Sequence, residues 1–347
     1  MEKHEIYMRR CLELAENGLG TTSPNPMVGS VIVHNDKIIG EGWHRKAGEA
    51  HAEPNAINSV KNQELLSEST IYVSLEPCSH FGKTPPCTDL IIEKGIPNVV
   101  IGIMDPFAKV CGNGINKLKQ QGHNVTVGVL EKECEVQNKR FFTFQKKKRP
   151  YIILKWAETN DGFIDIVRDD NDENKPTWIS NKFSQQLVHK WRSEEDAILV
   201  GTNTAINDNP KLNTRSWVGK DPVRVVMDRT LRIPEDNFLF DDTIKTIVVT
   251  EKNRENLNNT IYEKIDFSED KALEYLMNIL VKHEIQSIII EGGLHTLQSF
   301  IDSDLWDEAR VFVGNNNFKK GIKAPVIFTD NQLIEKVGND RLKYLFK

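Results

Sequence analysis

The sequence predicts an α/β protein built from two domains. The chain has 347 residues, and a single hydrophobic core stops growing at about 250–300 residues. Short runs rich in Val and Ile alternate along the chain with segments of helical periodicity. A basic run, KKKRP at 146–150, interrupts this alternation, and a new strand pattern follows directly. We therefore expect domains at 1–147 and 148–347.

The first domain is predicted to contain five strands and five helices. The strands are the apolar runs VGSVIVH, KIIGEG, TIYVSLE, NVVIGI and NVTVGV, each bounded by turn-forming or polar residues. Helices are expected at 4–18, 52–62, 88–94, 114–121 and 131–144. In the first of them, Ile6, Cys11, Leu12 and Leu14 form the apolar stripe of an amphipathic helix.

The second domain is predicted to continue the same alternation. Its strands are YIILKWA, DAILVG, VRVVMD, TIVVT, SIIIEGG, ARVFVG and PVIF. The segment RDDNDENKP at 168–176 is acidic and has no apolar period, which is typical of an exposed loop.

Composition and charge argue against a nucleic-acid-binding, membrane-spanning or secreted protein. The chain is 39% hydrophobic and 27% charged, with a net charge of −5. This balance is ordinary for a globular protein and gives no basic surface for nucleic acid. No segment approaches the ~20 apolar residues of a membrane span, and charges interrupt any apolar core of a signal peptide at the N-terminus. The five cysteines are an odd number, which fits a reducing compartment. We expect a cytoplasmic protein with neither nucleic acid nor membrane as a partner.

One short region carries the residue types of a zinc site. His51, Cys78 and Cys87 supply one nitrogen and two sulfurs, the ligand set of a catalytic zinc that keeps an open position. Cys87 opens the helical run TDLIIEKG, and the partial positive charge at a helix start favours a thiolate. A structural zinc site is the alternative, with His80 as its fourth ligand.

A carboxylate beside this ligand set indicates catalysis. Glu53 follows His51 by two residues, and Pro54 suits the first turn of a helix. Zinc deaminases of nucleobases combine H-x-E with P-C-x-x-C, and their Glu transfers protons without binding the metal. Here eight residues separate the cysteines, so the spacing differs from that signature. A closed structural site would leave Glu53 without a role.

Three segments around these residues resemble one family. TSPNPMVGSVIV, GEGWHRKAGEAHAE and PCSHFGKTPPC resemble the deaminase half of the bifunctional riboflavin-biosynthesis deaminase/reductase. The resemblance implies a cytidine-deaminase-like three-layer domain with one zinc and Glu53 as catalytic residue. The implied substrate is a diaminopyrimidinone that carries a ribosylamino 5′-phosphate. The residues implied to bind it are Asn25, His44, His80 and Lys83.

The second domain shows one motif for a phosphate-bearing ligand. SIIIEGGLHTLQSF reads as a strand, a Gly-Gly turn and a helix, and amides at a helix start bind anions. The motif also occurs without ligands. GNGINK at 112–117 departs from the G-x-G-x-x-G fingerprint and is interpreted as a turn opening a helix.

The segments KWAETNDGFI, TWIS and ILVGTNTAINDNPKLNTR resemble the reductase half of the same family. This resemblance implies a dihydrofolate-reductase-like α/β fold and NADPH as the cofactor. Implied NADPH contacts are Ala157, Trp178, Thr204, Asp208, Gly293, Leu294, His295, Thr296, Leu297, Gln298 and Ser299. Implied substrate contacts are Lys155, Arg192, Leu212, Arg215 and Glu291. Trp178 has core packing as its alternative role, and the two arginines have surface ion pairs.

The chain departs from the family pattern at several positions. ETNDG stands where the family usually shows Ser-Leu-Asp-Gly, and Pro176 and Arg229 stand where nucleotide-binding relatives usually have serine. Proline has no donor to offer a nucleotide. These departures keep an alternative open, a deaminase of another nucleobase with a non-catalytic C-terminal module for binding or dimerisation. The family resemblance implies a homodimer or homotetramer.

Overall fold

The computed structural model describes residues 2–81, 85–107, 111–167, 177–267 and 271–347. The chain divides into two compact units, Met1–Lys148 and Arg149–Lys347. Three sequence expectations lie outside the described residues: the contact assigned to Lys83, the departure at Pro176 and the loop at 168–176. Among the described residues, no helix combines the length and the apolar character that a membrane span requires.

The N-terminal unit is built on a five-stranded sheet of order β2-β1-β3-β4-β5. Its strands are β1 (Gly29–His34), β2 (Lys37–Trp43), β3 (Thr70–Leu75), β4 (Asn98–Ile103) and β5 (Asn124–Val127). All five were predicted. β1 pairs antiparallel with β2 and β3, whereas β3, β4 and β5 run parallel. The parallel half therefore brings the ends of β3 and β4 to the same edge.

Helices cover both faces of this sheet, which makes three layers. They are α1 (Glu2–Glu16), α2 (Ala52–Ser59), α3 (Cys87–Glu93), α4 (Asn113–Gln120), α5 (Glu131–Gln137) and α6 (Lys139–Lys147). α1, α5 and α6 bury Met8, Cys134 and Phe142 against one face, while α2, α3 and α4 pack on the other. A Cβ on Gly29 would lie 1.9 Å from the carbonyl oxygen of Cys11, so this glycine permits the close approach of α1 to β1.

The helix predicted over 131–144 is present but divided in two, because Asn138 separates α5 from α6. The Asn138 side chain accepts a hydrogen bond from the Met27 amide and donates one to the Met27 carbonyl, both at 2.8 Å. Both bonds join the buried Asn138 side chain to the loop before β1. The helix is interrupted at this same residue. The helical period continues on both sides, so the apolar pattern alone gave no sign of the break.

The C-terminal unit is built on a nine-stranded sheet of order β11-β10-β9-β8-β12-β6-β13-β16-β15. Its strands are β6 (Tyr151–Glu158), β8 (Ala197–Gly201), β9 (Val223–Met227), β10 (Thr246–Thr250), β11 (Thr260–Lys264), β12 (Ser287–Ile290), β13 (Glu308–Val313), β15 (Gln332–Val337) and β16 (Asp340–Phe346). The first seven strands of that order run parallel, and β16 and β15 close one side antiparallel. β7 (Phe163–Asp165) and β14 (Ile322–Lys323) form a separate short pair.

In the described part of this unit, four α-helices accompany the sheet: α7 (Lys182–Glu194), α8 (Thr202–Asp208), α9 (Ala272–Lys282) and α10 (Leu294–Asp302). α9 and α10 bury Leu280 and Phe300 on one face, and α7 buries Trp191 on the other. Because the central strands are parallel, β6, β8, β9 and β12 all end at one edge. In such sheets ligands bind at that edge.

The predicted strand PVIF at 325–328 is wrong. The side chains of Val326 and Phe328 are exposed at 56% and 90%, and the segment has no strand partner. The Val326 amide donates to Oε1 of Gln298 instead. The strands β15 and β16 follow it in the sequence; β16 pairs antiparallel with β13, and β15 pairs antiparallel with β16.

Candidate active sites

Three predicted metal ligands converge in the N-terminal unit. Nδ1 of His51 lies 3.7 Å from Sγ of Cys78 and 3.4 Å from Sγ of Cys87. Zinc bonds of about 2.0–2.1 Å to nitrogen and 2.3 Å to sulfur in a tetrahedron place N and S about 3.5 Å apart. The three donors therefore fit one zinc ion. Among the described residues they form the only such cluster, and His80 is not part of it.

The helix that follows the second cysteine supports this cluster in an unexpected way. Cys87 is the first residue of α3, one residue before the predicted start at 88, and its backbone N–H donates to Sγ of Cys78 at 3.3 Å. The Cys87 thiol, His51 and this amide lower the pKa of Cys78 to about 4 against the effect of burial. The pKa of Cys87 is raised, first by its hydrogen bond with Cys78. Cys78 is thus the thiol that the helix start favours as a thiolate.

Glu53 lies beside the cluster with its carboxyl group in a dry environment. His51 is the N-cap of α2, and Glu53 is the second residue of that helix. The side chain of Glu53 is buried, and this burial raises its pKa. A general base works best when its pKa lies near the working pH. A raised carboxyl pKa next to a metal cluster in a cavity is typical of a proton-transfer group.

A cavity of about 460 Å³ opens onto these residues. Asn25 lines it, and Nδ2 of Asn25 lies 3.0 Å from Nε2 of His44. His44 is buried, and its Nδ1 lies 3.1 Å from the carbonyl oxygen of Ala50. A carbonyl only accepts, so Nδ1 carries the proton and Nε2 accepts from the amide of Asn25. This chain of bonds fixes the Asn25 amide, so its Oδ1 is the atom left to accept a bond from a ligand.

The cavity wall also contains residues that the sequence reasoning missed. Asp105 and Phe107 line it, directly after β4, together with Glu76 after β3. Burial raises the pKa of Asp105 to about 6. The Glu76 carboxylate accepts backbone bonds from Gly112 and Gly114 at 3.0 and 2.9 Å. The ends of parallel strands are where ligands bind, and this rule could have indicated these positions.

The C-terminal unit holds a larger cavity, of about 810 Å³, at the edge where β6, β8, β9 and β12 end. The Gly-Gly turn predicted from the sequence connects β12 to α10, and its residues line the cavity. Predicted residues on the wall are Lys155, Ala157, Trp178, Thr204, Asp208, Glu291, Gly293, Leu294, His295, Thr296, Leu297 and Ser299. Trp178 is 60% exposed, so core packing does not account for it.

A buried charge cluster joins Lys155 and Glu291, on the wall at one end of this cavity, to Arg192, which is not part of the described wall. Nη2 of Arg192 lies 2.9 Å from Oε2 of Glu291, and Nζ of Lys155 lies 3.9 Å from the same oxygen. Burial alone would raise the pKa of Glu291, but Arg192 and Lys155 outweigh it and lower the pKa to about 2. Burial lowers the pKa of Lys155. Groups with strongly shifted pKa values on the wall of a cleft are typical of functional sites.

Comparison with known proteins assigns both units. The profile of the cytidine and deoxycytidylate deaminase zinc-binding region matches residues 1–103, and that of the RibD C-terminal domain matches residues 150–329. The riboflavin biosynthesis protein RibD of Aquifex aeolicus is 40% identical over 91% of this chain and 88% of its own length. The chain belongs to the RibD family. The RibD protein of Actinobacillus pleuropneumoniae is also 40% identical, over 97% of this chain and 90% of its own length.

Solved RibD structures agree with both folds. The crystal structure of a diaminohydroxyphosphoribosylaminopyrimidine deaminase/5-amino-6-(5-phosphoribosylamino)uracil reductase from Thermotoga maritima is 36% identical. It covers 99% of each chain with a TM-score of 0.88. Acinetobacter baumannii RibD is 30% identical, with the same coverage and a TM-score of 0.89. The expected cytidine-deaminase-like and dihydrofolate-reductase-like domains are thereby confirmed, and the chain is a bifunctional deaminase and reductase of riboflavin biosynthesis.

RibD membership fits the cofactors that the two sites indicate. His51, Cys78 and Cys87 form the zinc-binding site of the deaminase unit, and the reductase unit implies a nicotinamide cofactor, NADH or NADPH. Pyrimidines are the implied substrates.

Several predicted residues lie elsewhere than on the RibD cavity walls. The Gln298 side chain donates a hydrogen bond to Oδ1 of Asp302 and accepts one from the Val326 amide. It is absent from the described wall of the larger cavity. The Leu212 side chain is buried in the core, at a φ of 50°, so only its main chain is available to a ligand. Nη1 of Arg215 lies 3.2 Å from Oδ1 of Asn213.

Two further residues of the deaminase unit and one of the reductase unit also differ in their placement. His80 is exposed on the wall of the smaller cavity. Cys87 is buried behind this wall. Arg229, at the departure from the family pattern, forms an ion pair with Glu251 at 2.8 Å.

Proposed function

We propose that the N-terminal unit deaminates 2,5-diamino-6-(5-phosphoribosylamino)pyrimidin-4-one by hydrolysis. The C-terminal unit then reduces the ribosyl group of the product to a ribityl chain with NADPH. The observation that carries this proposal is that one imidazole and two thiols converge on one another, while His51, Cys78 and the buried carboxylate of Glu53 line one cavity of about 460 Å³. Family membership supports the choice of a pyrimidine. The phosphorylated sugar rests on the resemblance of the sequence motifs.

In the deaminase, His51, Cys78 and Cys87 hold zinc. Zinc, when bound, activates a water for attack on the ring carbon that carries the 2-amino group. Glu53 takes a proton from the attacking water and passes it to the departing amine, which leaves as ammonia. Its burial and raised pKa suit a group that must take up and release a proton. Asn25 accepts a hydrogen bond from the ring through Oδ1.

The pocket rim binds the rest of this substrate. We assign the ribose and phosphate to His80, which lies on this rim, and to Lys83, whose assignment rests on the sequence resemblance. His44 contributes by holding the Asn25 amide, because both of its ring nitrogens already have partners.

In the reductase, NADPH supplies hydride to the aldehyde carbon of the ring-opened sugar. Lys155 delivers a proton to the oxygen on that carbon, and its lowered pKa makes the ammonium a better acid. Glu291 stays ionised and holds Lys155 and Arg192 in place. Arg192 and Arg215 bind the substrate phosphate, since guanidinium groups form paired hydrogen bonds with phosphate oxygens. Leu212 contributes a main-chain contact.

The nucleotide lies along the remaining wall of the larger cavity. We assign its contacts to Ala157, Trp178, Thr204 and Asp208, and to the segment from Gly293 to Ser299 at the start of α10. Amides at a helix start favour the negative charge of a pyrophosphate.

We further propose a cytoplasmic homodimer or homotetramer. The thiol ligands of the zinc site need a reducing compartment to remain free, and NADPH is available in the same place. The oligomeric state rests on the family resemblance and is checked by sedimentation equilibrium of the intact chain.

Zinc analysis combined with separate assays of the two half-reactions tests this function. We expect one zinc per chain, ammonia release from the diaminopyrimidinone phosphate, and loss of absorbance at 340 nm with the deaminated product and NADPH. Absence of NADPH oxidation would contradict the reductase assignment and favour a non-catalytic C-terminal module. Faster turnover of cytidine would contradict the proposed deaminase substrate.

A further inference from the structure

The larger cavity has a direction that is set by the order of its strands. It spans the ends of β9, β8, β12 and β6, which are neighbours in that order. Lys155 lies on β6 at one side, and Arg232 follows β9 at the other. Three steps between strands of about 4.8 Å each separate them by about 14 Å. The two cations therefore mark opposite ends of one groove.

The proposed function fixes the order in which the parts of the nicotinamide cofactor follow one another along this groove. Hydride transfer requires the nicotinamide at the end of Lys155, Glu291 and Arg192. The start of α10, which follows β12, lies between the two ends and suits the pyrophosphate. The adenosine half must then extend over β8 toward β9.

The wall at the β9 end has the composition of an adenosine site. Met227, Phe267, Ala272 and Leu273 line it, and together they provide an apolar surface for a flat base. Asn203 and Arg232 lie on the same wall. A base site with an arginine next to it is the arrangement that accommodates a ribose 2′-phosphate.

Arg232 is held in place and retains its charge for a ligand. Its backbone amide donates to Oδ1 of Asp228 at 3.0 Å, and Asp228 is buried. Nη2 of Arg232 donates to Oδ1 of Asn203 at 2.9 Å. Within the described ranges no carboxylate is paired with this guanidinium. Arg229, on the same turn, is instead neutralised by Glu251.

We propose that Arg232, oriented by Asn203, binds the 2′-phosphate of NADPH and makes the reductase prefer NADPH to NADH. This inference rests on the proposed use of a nicotinamide cofactor in this cavity. It goes beyond that function by naming the residue that distinguishes the two cofactors.

The test compares Arg232→Gln with the wild-type chain in two measurements. The first is kcat/KM for NADPH and for NADH, followed at 340 nm with the deaminated substrate. We expect kcat/KM for NADPH to fall about 10- to 100-fold, a loss of about 1.4–2.8 kcal/mol, and the NADH value to change less than about twofold. Arg254→Gln is the matched control, because Arg254 pairs with Glu235 on the same unit and lies outside the described cavity wall.

The second measurement separates this inference from the proposed function. Calorimetry compares binding of 2′,5′-ADP with that of 5′-AMP, which needs no turnover. We expect the wild type to bind 2′,5′-ADP at least 10-fold more tightly and Arg232→Gln to lose that difference. Equal loss of NADPH and NADH activity, or an unchanged preference for 2′,5′-ADP, would overturn the role of Arg232. A loss of preference in Arg229→Gln alone would overturn it too.

Discussion

Replacing Glu291 by Gln removes the one negative charge between two buried cations. The side chains of Glu291, Lys155 and Arg192 are exposed by only 10%, 16% and 10%. Glutamine has nearly the same shape and keeps an oxygen for Arg192. The change therefore tests the charge and leaves the packing almost unaltered.

The expected loss of stability follows from the lowered pKa of Glu291. A shift from the ordinary value of 4.5 to about 2 corresponds to about 3.4 kcal/mol at 1.36 kcal/mol per unit. Burial lowers the pKa of Lys155 despite its attraction to Glu291. The cost of burying the charged ammonium therefore offsets part of this stabilisation. We expect Glu291→Gln to lower the free energy of unfolding of the C-terminal unit by about 2–3 kcal/mol at pH 7.

Urea unfolding followed by tryptophan fluorescence measures this loss. Of the six tryptophans only Trp43 precedes residue 148, so the signal reports mainly on the C-terminal unit. Because the folded pKa of Glu291 is depressed, its contribution is present above pH 4.5 and is lost as the pH falls toward 2. The difference in unfolding free energy between variant and wild type should thus be smaller at pH 3.5 than at pH 7.

Glu274→Gln is the control, because Glu274 is an exposed acid on α9. Its unfolding free energy should stay within about 0.5 kcal/mol of the wild type. Equal stability of Glu291→Gln and wild type at pH 7, or a pH-independent difference, would refute the reasoning.

Three further changes test the deaminase unit. Glu53→Gln should reduce ammonia release at least 100-fold with zinc content unchanged by metal analysis, and loss of zinc would mean that Glu53 is a ligand. Cys78→Ala should abolish both zinc binding and deamination, while NADPH oxidation with the supplied intermediate continues; a loss of both reactions would contradict independent sites. Asn138→Ala leaves two buried backbone groups of Met27 unpaired, so thermal unfolding should show a loss of about 2–4 kcal/mol; Asn124→Ala, which removes an exposed amide, should stay within about 0.5 kcal/mol, and equal losses would contradict the role of these bonds.

The sequence predicted the parts of the fold that depend on apolar period. Strands β1, β3 and β4 of the first domain and the central parallel strands of the second are buried on both faces, so they stand out as runs of Val and Ile. β15 could not be recognised this way, because its side chains are almost all exposed at the edge of the sheet. At residues 325–328 the error was the reverse, since a strand was predicted where none forms. They have the composition of a strand, but no partner strand pairs with them.

The predicted sites succeeded where chemistry requires fixed residue types. His51, Cys78 and Cys87 were recognisable because few other combinations bind zinc. Arg232 was not, since an arginine on a turn has no distinctive sequence context. Its position became meaningful only when the strand order placed it at the far end of the groove from Lys155.

The two buried carboxylates show how one residue type acquires opposite roles in the two units. Both Glu53 and Glu291 are removed from water, and burial raises the pKa of each. At Glu53 the effect of burial outweighs the attraction of His51, so the pKa stays raised and the group can exchange a proton. At Glu291 Arg192 and Lys155 outweigh burial, and the group remains an anion at any working pH. The local balance of burial against neighbouring cations therefore makes Glu53 the proton carrier and Glu291 the fixed charge that positions its neighbours.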